Sequence, residues 1–357
     1  MMMILLLAAV AANADAIATE PTAPSTAADT QTVAATPASA EPSVVSETRP
    51  MMGTRMQVLI FTSDPPAAKA AMNDAFAEAQ RLADVISEWT PTSEISRINA
   101  AAGTSAVKVS PDTLQLIEAG KAAADETHGA FAMTWAALGG LWKIPPPEGH
   151  APRVPAKTDI EKVLPLIGDA AIVVDAQAST VMLPKSGMAI GIGAIGKGFA
   201  MDRVADVLAS HGFTNVLVSA GGDVVARGTK GAKPWMVGLQ DPRGPGYYAI
   251  LPLQNQAIST AGDYERYFEI AGVRYHHILD PRTGFPARGT RAVAVIADKG
   301  IISDALDTGI FVLGPTAGMK VVEDDPRIEA VIIDDANNVT ISSGLTTSLR
   351  VLRQPTP

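Results

Sequence analysis

The stretch SDALDTG, residues 303–309, carries oxygen-bearing side chains in a pattern that suits a metal ion. Asp304 and Thr308 are four residues apart, so a helix places both on one face, with Asp307 beside them. Carboxylate and hydroxyl oxygens suit Mg²⁺, which keeps several waters and binds through few carboxylates together with phosphate. In the alternative interpretation, Ser303 and Asp304 only cap the helix and favour its dipole. The residues alone leave both interpretations open.

Two adjacent histidines, His276 and His277, precede a turn-forming run, DPRTG at 280–284. A neutral imidazole can accept the proton of a hydroxyl group near pH 7. For an isolated histidine, a purely structural place at a strand end is the more frequent explanation. Adjacent residues of a strand point to opposite faces, so at most one of the two can serve as a base.

The glycine-rich stretch GIGAIGKGF, residues 191–199, matches parts of two phosphate-binding motifs. The dinucleotide motif needs a strong preceding strand, but the run KSG at 185–187 interrupts the approach. The P-loop motif needs Ser or Thr where this chain has Gly198. A tight turn into a helix is therefore the favoured interpretation. Lys197 lies in the first helical turn, where the dipole disfavours a cation, and it suggests an anionic, phosphorylated partner.

The flanking segments predict the elements that position these residues. Apolar spacing predicts helices over 67–87, 111–127, 198–211 and 303–313, with Gly314 behind the last. Predicted strands cover 54–61, 170–174, 180–183, 215–219, 235–239, 257–259, 267–270, 292–296, 330–333 and 339–342. Helices and strands alternate irregularly and several strand pairs are close enough to be hairpins, which favours an α+β fold with a mixed sheet.

Composition limits the possible partners. Of the 357 residues, 47% are apolar and 18% are charged, as in a well-packed globular protein. The net charge of -9 argues against a nucleic-acid or anionic-membrane surface, because either partner would be repelled. The chain has no cysteine, so it has no disulfide, no thiolate chemistry and no lipid-modified cysteine.

The amino terminus resembles an export signal followed by a linker. Residues 1–14 hold a short apolar run ending in Ala12-Asn13-Ala14, which fits a signal-peptide cleavage site. A disordered hydrophobic tail is the alternative. Residues 15–48 are low in complexity and predict a disordered linker, and residues 49–350 form the predicted domain. The apolar run is too short to span a bilayer, so we expect an exported, periplasmic protein that is not an integral membrane protein.

Several stretches taken together resemble one family. They are MGT at 52–54, SEWTPTSEISRIN at 87–99, HGAFAMTWAALGGLW at 128–142, GKGF at 196–199, GGDVVARG at 221–228, HHILDPRTG at 276–284 and SDALDTG at 303–309. In this order and spacing they resemble the ApbE family of FAD:protein FMN transferases. The resemblance implies a mixed-sheet, T-fold-like catalytic domain.

The resemblance also implies a reaction. Members of the family split the pyrophosphate of FAD with Mg²⁺, transfer FMN to a threonine hydroxyl of a target protein and release AMP. The target would be a flavoprotein with an acceptor threonine, such as a redox-complex subunit, and the enzyme would meet the membrane at most through that target. His277 is implied as the catalytic base. The implied metal ligands are Asp304, Asp307, Thr308 and the backbone carbonyl of Ala194.

The resemblance assigns further residues to FAD binding, namely Met52, Trp89, Ala130, Phe131, Ala132, Lys197 and Ile278. Core packing is the alternative for Trp89 and Phe131. The chain departs from the family pattern at two acidic positions, since Ala132 and Gly191 stand where the family usually has Asp. In the family both acids tend to lie near bound FAD, so their loss implies either weaker adenine or ribose contacts or a subfamily with a different recipient. It leaves the metal ligands intact.

Two other functions remain compatible with the sequence. A pyrophosphatase would use water in place of the threonine and release free FMN, because the same metal can activate either acceptor. A periplasmic FAD-binding protein would hold FAD without turnover. The presence of His277 and of the metal-binding pattern favours chemistry over storage.

Overall fold

The computed structural model describes residues 41–357, so the predicted signal peptide and most of the predicted linker lie outside it. Residues 41–357 form these strands, in chain order: β1 (Ser43–Met51), β2 (Thr54–Thr62), β3 (Val107–Lys108), β4 (Val173–Asp175), β5 (Thr180–Met182), β6 (Val216–Ala220), β7 (Asp223–Arg227), β8 (Trp235–Gln240), β9 (Tyr247–Leu253), β10 (Gln256–Gly262), β11 (Tyr267–Ile270), β12 (Val273–His276), β13 (Thr290–Ala297), β14 (Ile328–Asp334), β15 (Val339–Ile341) and β16 (Arg350–Val351).

The same residues form six α-helices and several short 3₁₀ segments. The helices are α1 (Pro65–Ile86), α2 (Glu94–Ala100), α3 (Pro111–Glu126), α4 (Lys157–Val163), α5 (Gly196–Ser210) and α6 (Gly300–Asp324). The 3₁₀ segments are Met133–Gly140, Leu164–Leu166, Asp169–Ala171 and Ser343–Leu345. None of the helices within 41–357 combines the length and apolar character that crossing a bilayer requires.

A large sheet organises the described chain in the order β1-β2-β6-β7-β10-β13-β14-β15. The α+β class is confirmed. Every neighbouring pair in this sheet is antiparallel, whereas a mixed sheet was expected. Connectivity explains three of these pairs, because β1–β2, β6–β7 and β14–β15 are direct hairpins, which can only pair antiparallel strands.

Both faces of the large sheet are buried. Alternate residues of β2 show this, since Val58 and Ile60 join the cluster beneath the helices while Leu59 faces the other side. On the helical side, α1, α5 and α6 pack over the sheet. On the other side, the small antiparallel sheet β16-β9-β8 supplies Trp235 and Leu251. The sheet therefore forms the middle of three layers.

The ordered chain extends beyond both predicted domain limits. β1 pairs with β2 from Ser43↔Thr62 to Met51↔Thr54, so residues 43–48 are a strand and not the end of a linker. The run SVVSETRP favours this outcome because it contains the β-branched residues Val44, Val45 and Thr48. At the other end, Arg353 and Thr356 both bind the buried carboxylate of Asp241.

The two helices that border the site hold each other's amino termini. The Asp202 carboxylate of α5 accepts from the backbone N–H of Gly300 (2.9 Å) and Ile301 (3.0 Å) at the start of α6. In return, Asp304 of α6 accepts from the N–H of Gly198 in the first turn of α5 (2.8 Å). Helix amino termini carry unpaired N–H groups and partial positive charge, so each carboxylate stabilises the opposite helix.

Helix α6 is longer than predicted at both ends. It begins at Gly300 with Lys299 as N-cap, three residues before the predicted start. Gly314 interrupts the helical geometry with φ 83°, as its predicted terminal place suggested, but a second helical stretch continues from Pro315. Proline is tolerated there because it begins a new stretch.

Candidate functional site

One cavity of about 780 Å³ lies beside the amino termini of α5 and α6. The turns after β1 and β6, the end of α1, the glycine-rich loop and the end of β12 form its other walls. The structure brings all of the sequence-predicted site residues to this cavity: Met52, Trp89, Ala130, Phe131, Ala132, Ala194, Lys197, His277, Ile278, Asp304, Asp307 and Thr308.

Buried acidic side chains surround one lysine at the base of the cavity. The Nζ of Lys197 lies 2.8 Å from Oδ1 of Asp304 and 3.2 Å from Oδ2 of Asp223. The other oxygen of Asp223 accepts from the N–H of Thr260 (3.0 Å), but no group within residues 41–357 meets Oδ2 with hydrogen-bond geometry. Asp307 accepts from the hydroxyl of Thr308 (3.0 Å).

Acidic side chains outnumber basic ones in this cluster. Burial raises the pKa of Asp223 to about 7; the charge of Asp304 adds to this effect and Lys197 opposes it. Burial, together with Asp304 and Asp223, also raises the pKa of Asp307 well above its ordinary value. Burial disfavours the charge of Lys197, but the surrounding carboxylates outweigh burial and raise the pKa of Lys197. A second cation would relieve the remaining repulsion.

The donor set fits a hard divalent cation. Asp304, Asp307 and Thr308 offer oxygen atoms from two successive turns of α6, and the loop residue Ala194 borders the same space. Within residues 41–357, no three His, Asp or Glu side chains are already gathered as a ligand cluster. Lys197 already occupies one side of this donor set, through its ion pairs with Asp304 and Asp223.

The capping alternative for Asp304 is wrong. Helix α6 begins four residues earlier, so Asp304 is not at its own amino terminus. Its carboxylate instead binds Lys197 and the first turn of α5. Ser303 also does not cap α6, because its hydroxyl bonds the carbonyl of Gly300 and the hydroxyl of Ser259.

The glycine-rich loop is a tight turn into α5, as the favoured interpretation stated. Asn99 holds the residue before it through two hydrogen bonds to the backbone of Ile190 (2.7 and 2.9 Å). The N–H of Gly191 donates to the carbonyl of Met133 (2.9 Å). The N–H of Gly198 is occupied by Asp304, so it is not free for a phosphate.

The structure separates the two adjacent histidines. His276 is buried, where its Nε2 donates to the carbonyl of Ala287 (2.9 Å) and its ring contacts Phe311 edge-on. His277 lies at the cavity, and its Nδ1 donates to the carbonyl of Arg266 (3.3 Å). A carbonyl oxygen can only accept, so Nδ1 carries the proton and Nε2 is left as an acceptor.

The environment keeps His277 neutral. Burial lowers the pKa of His277 to about 4, and the nearby charge of Arg266 acts in the same direction. A neutral imidazole with Nε2 unprotonated is the form that can take a proton from a hydroxyl group.

The aromatic candidates differ from each other. Trp89 is 85% exposed at the cavity rim, so the core-packing alternative is wrong for it. Phe131 is 2% exposed and its side chain joins the core beneath the helices, as that alternative proposed.

Met52 lies at the β1–β2 turn with φ 50°, a left-handed conformation that is rare for a residue with a side chain. The turn thus directs a strained residue to the cavity.

Sequence reasoning did not select two acidic residues that line this cavity, Asp223 and Glu88. Asp223 follows the β6–β7 turn, in which Gly221 and Gly222 have φ 62° and 101°. The run AGGD after a buried strand was a usable signal, since such a two-residue glycine turn directs the next residue back along the sheet. Glu88 follows α1, and nothing in its local sequence distinguished it from a surface residue.

Comparison with known proteins gives the family. The ApbE family model matches residues 52–332. The chain is 32% identical to a protein of Treponema pallidum named "FAD:protein FMN transferase", over 85% of this chain and 88% of that protein. It is also 32% identical to a Klebsiella pneumoniae protein of the same name, over 84% and 92%. The chain belongs to the ApbE family.

Solved structures of ApbE proteins have the same fold. The ApbE protein of Thermotoga maritima superposes with a TM-score of 0.79 at 33% identity, covering 86% of this chain and 99% of that one. The flavin transferase ApbE of Vibrio cholerae superposes with a TM-score of 0.77 at 26% identity, with the same coverage. The ApbE fold therefore extends over nearly all of the described residues.

Proposed function

We propose that this ApbE protein is a Mg²⁺-dependent FAD:protein FMN transferase, which attaches FMN to a threonine hydroxyl of a target flavoprotein and releases AMP. The observation that carries the proposal is the single cavity that gathers the acidic face of α6, His277 and the exposed Trp89. The names of the relatives support the same activity.

The residues divide the work of the reaction. Asp304, Asp307, Thr308 and the Ala194 carbonyl would hold Mg²⁺, which neutralises the pyrophosphate of FAD and favours departure of AMP. His277 accepts the threonine proton at Nε2 as the hydroxyl oxygen attacks the phosphorus of the FMN half. The bond between that phosphorus and the bridging oxygen breaks, and the oxygen leaves with AMP.

The remaining predicted residues would bind and orient FAD. Trp89 offers an exposed ring for stacking at the rim, and Met52 and Ile278 supply apolar contact. The segment Ala130–Ala132 brings mostly backbone to the cavity, because its side chains are buried. Its conformation is fixed by Asp169, which accepts hydrogen bonds from Met133 and Thr134.

Hydrolysis of FAD and storage of FAD are the competing functions. The buried carboxyl groups at α6 are destabilising unless a bound cation compensates them. A catalytic Mg²⁺ would provide that cation, which favours turnover of FAD over storage. Transfer and hydrolysis share these residues, so the acceptor decides between them.

The test incubates the purified protein with FAD, Mg²⁺ and a target protein bearing an Asp-Gly-x-Thr acceptor site. Transfer gives a target band with in-gel flavin fluorescence and an equal amount of AMP. The matched control is a target with the acceptor Thr replaced by Val. Release of AMP and free FMN without a labelled target would identify a pyrophosphatase. If no AMP and no FMN are released and no target is labelled, the protein only binds FAD.

We also propose that the protein is exported to the periplasm, on the strength of the apolar run and the Ala12-Asn13-Ala14 site. The mature chain should begin near Asp15. N-terminal sequencing of protein from the periplasmic fraction checks this, and recovery of a chain that retains Met1 would contradict it.

A further inference from the structure

The cavity contains a carboxylate that the proposed reaction does not use. Glu88 lines the cavity just after α1, and its Oε2 accepts a hydrogen bond of 2.6 Å from the N–H of Ile192 in the glycine-rich loop. Within residues 41–357, no cation pairs with Glu88 and its Oε1 has no hydrogen-bond partner. A partly buried carboxylate without a cation needs a hydrogen-bond donor to offset its lost hydration.

Gly191 leaves the space that this carboxylate occupies. A Cβ on residue 191 would lie 3.0 Å from Oε2 of Glu88, 3.0 Å from the Cβ of Ala136 and 3.1 Å from the ring of Trp135. An aspartate at 191 would therefore place a second negative charge against Glu88. Glu88 therefore brings a carboxylate from the end of α1 to the start of the glycine-rich loop, and the absence of a side chain at Gly191 leaves room for it.

We propose that Glu88 is a further positioning residue for FAD, whose carboxylate accepts a hydrogen bond from a hydroxyl or amine of FAD. This inference rests on the proposed function. A carboxylate only accepts hydrogen bonds and repels the pyrophosphate, so the group that it meets must be a donor. FAD offers such donors in the ribityl chain of its FMN half and in the ribose and adenine of its AMP half.

The first test is Glu88→Gln. Glutamine keeps the size of the side chain, and its carbonyl oxygen can still accept from Ile192, which turns its NH₂ group towards the ligand. A donor then faces a donor, so the dissociation constant of FAD should rise roughly tenfold, with the melting temperature unchanged. Titrations with FMN and with ADP show which half of FAD is affected. FAD binding that is unchanged or tighter would overturn the inference.

The second test is Glu88→Ala, which removes both carboxylate oxygens. The dissociation constant of FAD should rise at least as much as in E88Q, because no acceptor is left for the donor group of FAD. Equal FAD binding by E88A and the wild-type protein would overturn the inference.

The wild-type FAD titration separates this inference from the proposed function. If the wild-type protein does not bind FAD, the proposed function fails together with the inference. If the wild-type protein binds FAD and E88Q binds it equally well, only the role of Glu88 fails.

Discussion

At the residue scale, the arrangement of Asp223, Asp304 and Asp307 around Lys197 determines the chemistry. Lys197 was expected to face an anionic partner, and it instead contacts two of these carboxylates. The lysine thus stabilises acids that would otherwise repel each other, and the proposed metal ion would compete with it. Asp304 has a second role because it also caps α5.

Substitutions on the proposed metal-binding face of α6 should separate the metal-binding role of Asp304 from its capping of α5. Asp304→Ala removes an acceptor from both Lys197 and Gly198, so it should cost about 3 kcal/mol of stability and reduce transfer by orders of magnitude. Among residues 41–357 the hydroxyl of Thr308 bonds only Asp307, so Thr308→Val should raise the Mg²⁺ concentration for half-maximal transfer several-fold with little change in melting temperature. A Mg²⁺ titration of AMP release checks this. Identical Mg²⁺ dependence for T308V and wild type would exclude Thr308 as a ligand.

The low pKa of His277 predicts an unusual pH profile. The imidazole stays neutral until the pH approaches 4, so kcat/KM should lose this base near pH 4 and not near 6.5. Between these values the unfolded chain binds a proton that folded His277 does not, so this group lowers the stability as the pH falls from about 6.5 to 4. Rate profiles and urea unfolding of wild type and His277→Gln measure both effects. A fall of kcat/KM near pH 6.5 in the wild-type protein that is absent from H277Q would contradict the prediction.

At the element scale, α5 and α6 form one unit because each caps the other and because glycines let them approach. A Cβ on Gly198 would overlap the backbone carbonyl of Gly300, and a Cβ on Gly300 would lie 2.7 Å from the carbonyl oxygen of Gly198. The close contact places Asp304 over the first turn of α5. Gly198, which excludes a P-loop, is therefore a packing residue.

Gly198→Ala should separate the two helices. The added methyl group forces their amino termini apart, so we expect a loss of about 3 kcal/mol in unfolding free energy, the upper range for overpacking. The Asp304–Gly198 hydrogen bond should break as well, which lowers transfer. Gly140→Ala is the matched control, because a Cβ there meets nothing within 4 Å. Chemical denaturation measures both variants, and equal stability would refute the close-contact argument.

At the scale of the whole molecule, the carboxyl terminus completes the layer behind the large sheet. Strand β16 pairs with β9, and Arg353 and Thr356 bind Asp241. Burial opposes the charge of Asp241, but hydrogen bonds from Arg243, Thr356 and Arg353 outweigh it and lower the pKa of Asp241 to about 2. The folded domain therefore does not end at residue 350.

A chain that ends at Arg350 should be less stable than the full chain. The truncation removes Arg353 and Thr356 and leaves Asp241 with fewer donors, a loss of about 1–3 kcal/mol. Arg353→Met in the full chain should reproduce part of this loss of stability. Because the native pKa of Asp241 is lowered, this contribution is present above about pH 4 and disappears as the pH falls towards 2. Equal melting temperatures for the full and truncated chains at pH 7 would contradict this.

The sequence by itself determined the helices with clear 3.6-residue spacing and the strands with apolar alternation. Ser110 caps α3 and Gly212 follows α5 in the left-handed conformation, as local rules require. Strand β9 was missed because Pro252 lowers strand propensity, and β1 because its composition continues that of the linker. Local sequence carries little information where a neighbouring strand supplies the pairing.

The residue types of the site were also determined by the sequence, since the resemblance selected residues that share one cavity. Only the tertiary structure decided which charges meet. Asp223, Asp304 and Lys197 are far apart in the chain, and so are Glu88 and Gly191. Their contacts depend on how helices cross and turns close, and electrostatic energy depends on those distances and on burial. The capping partner of Asp304 and the place of Glu88 were therefore not readable from local spacing.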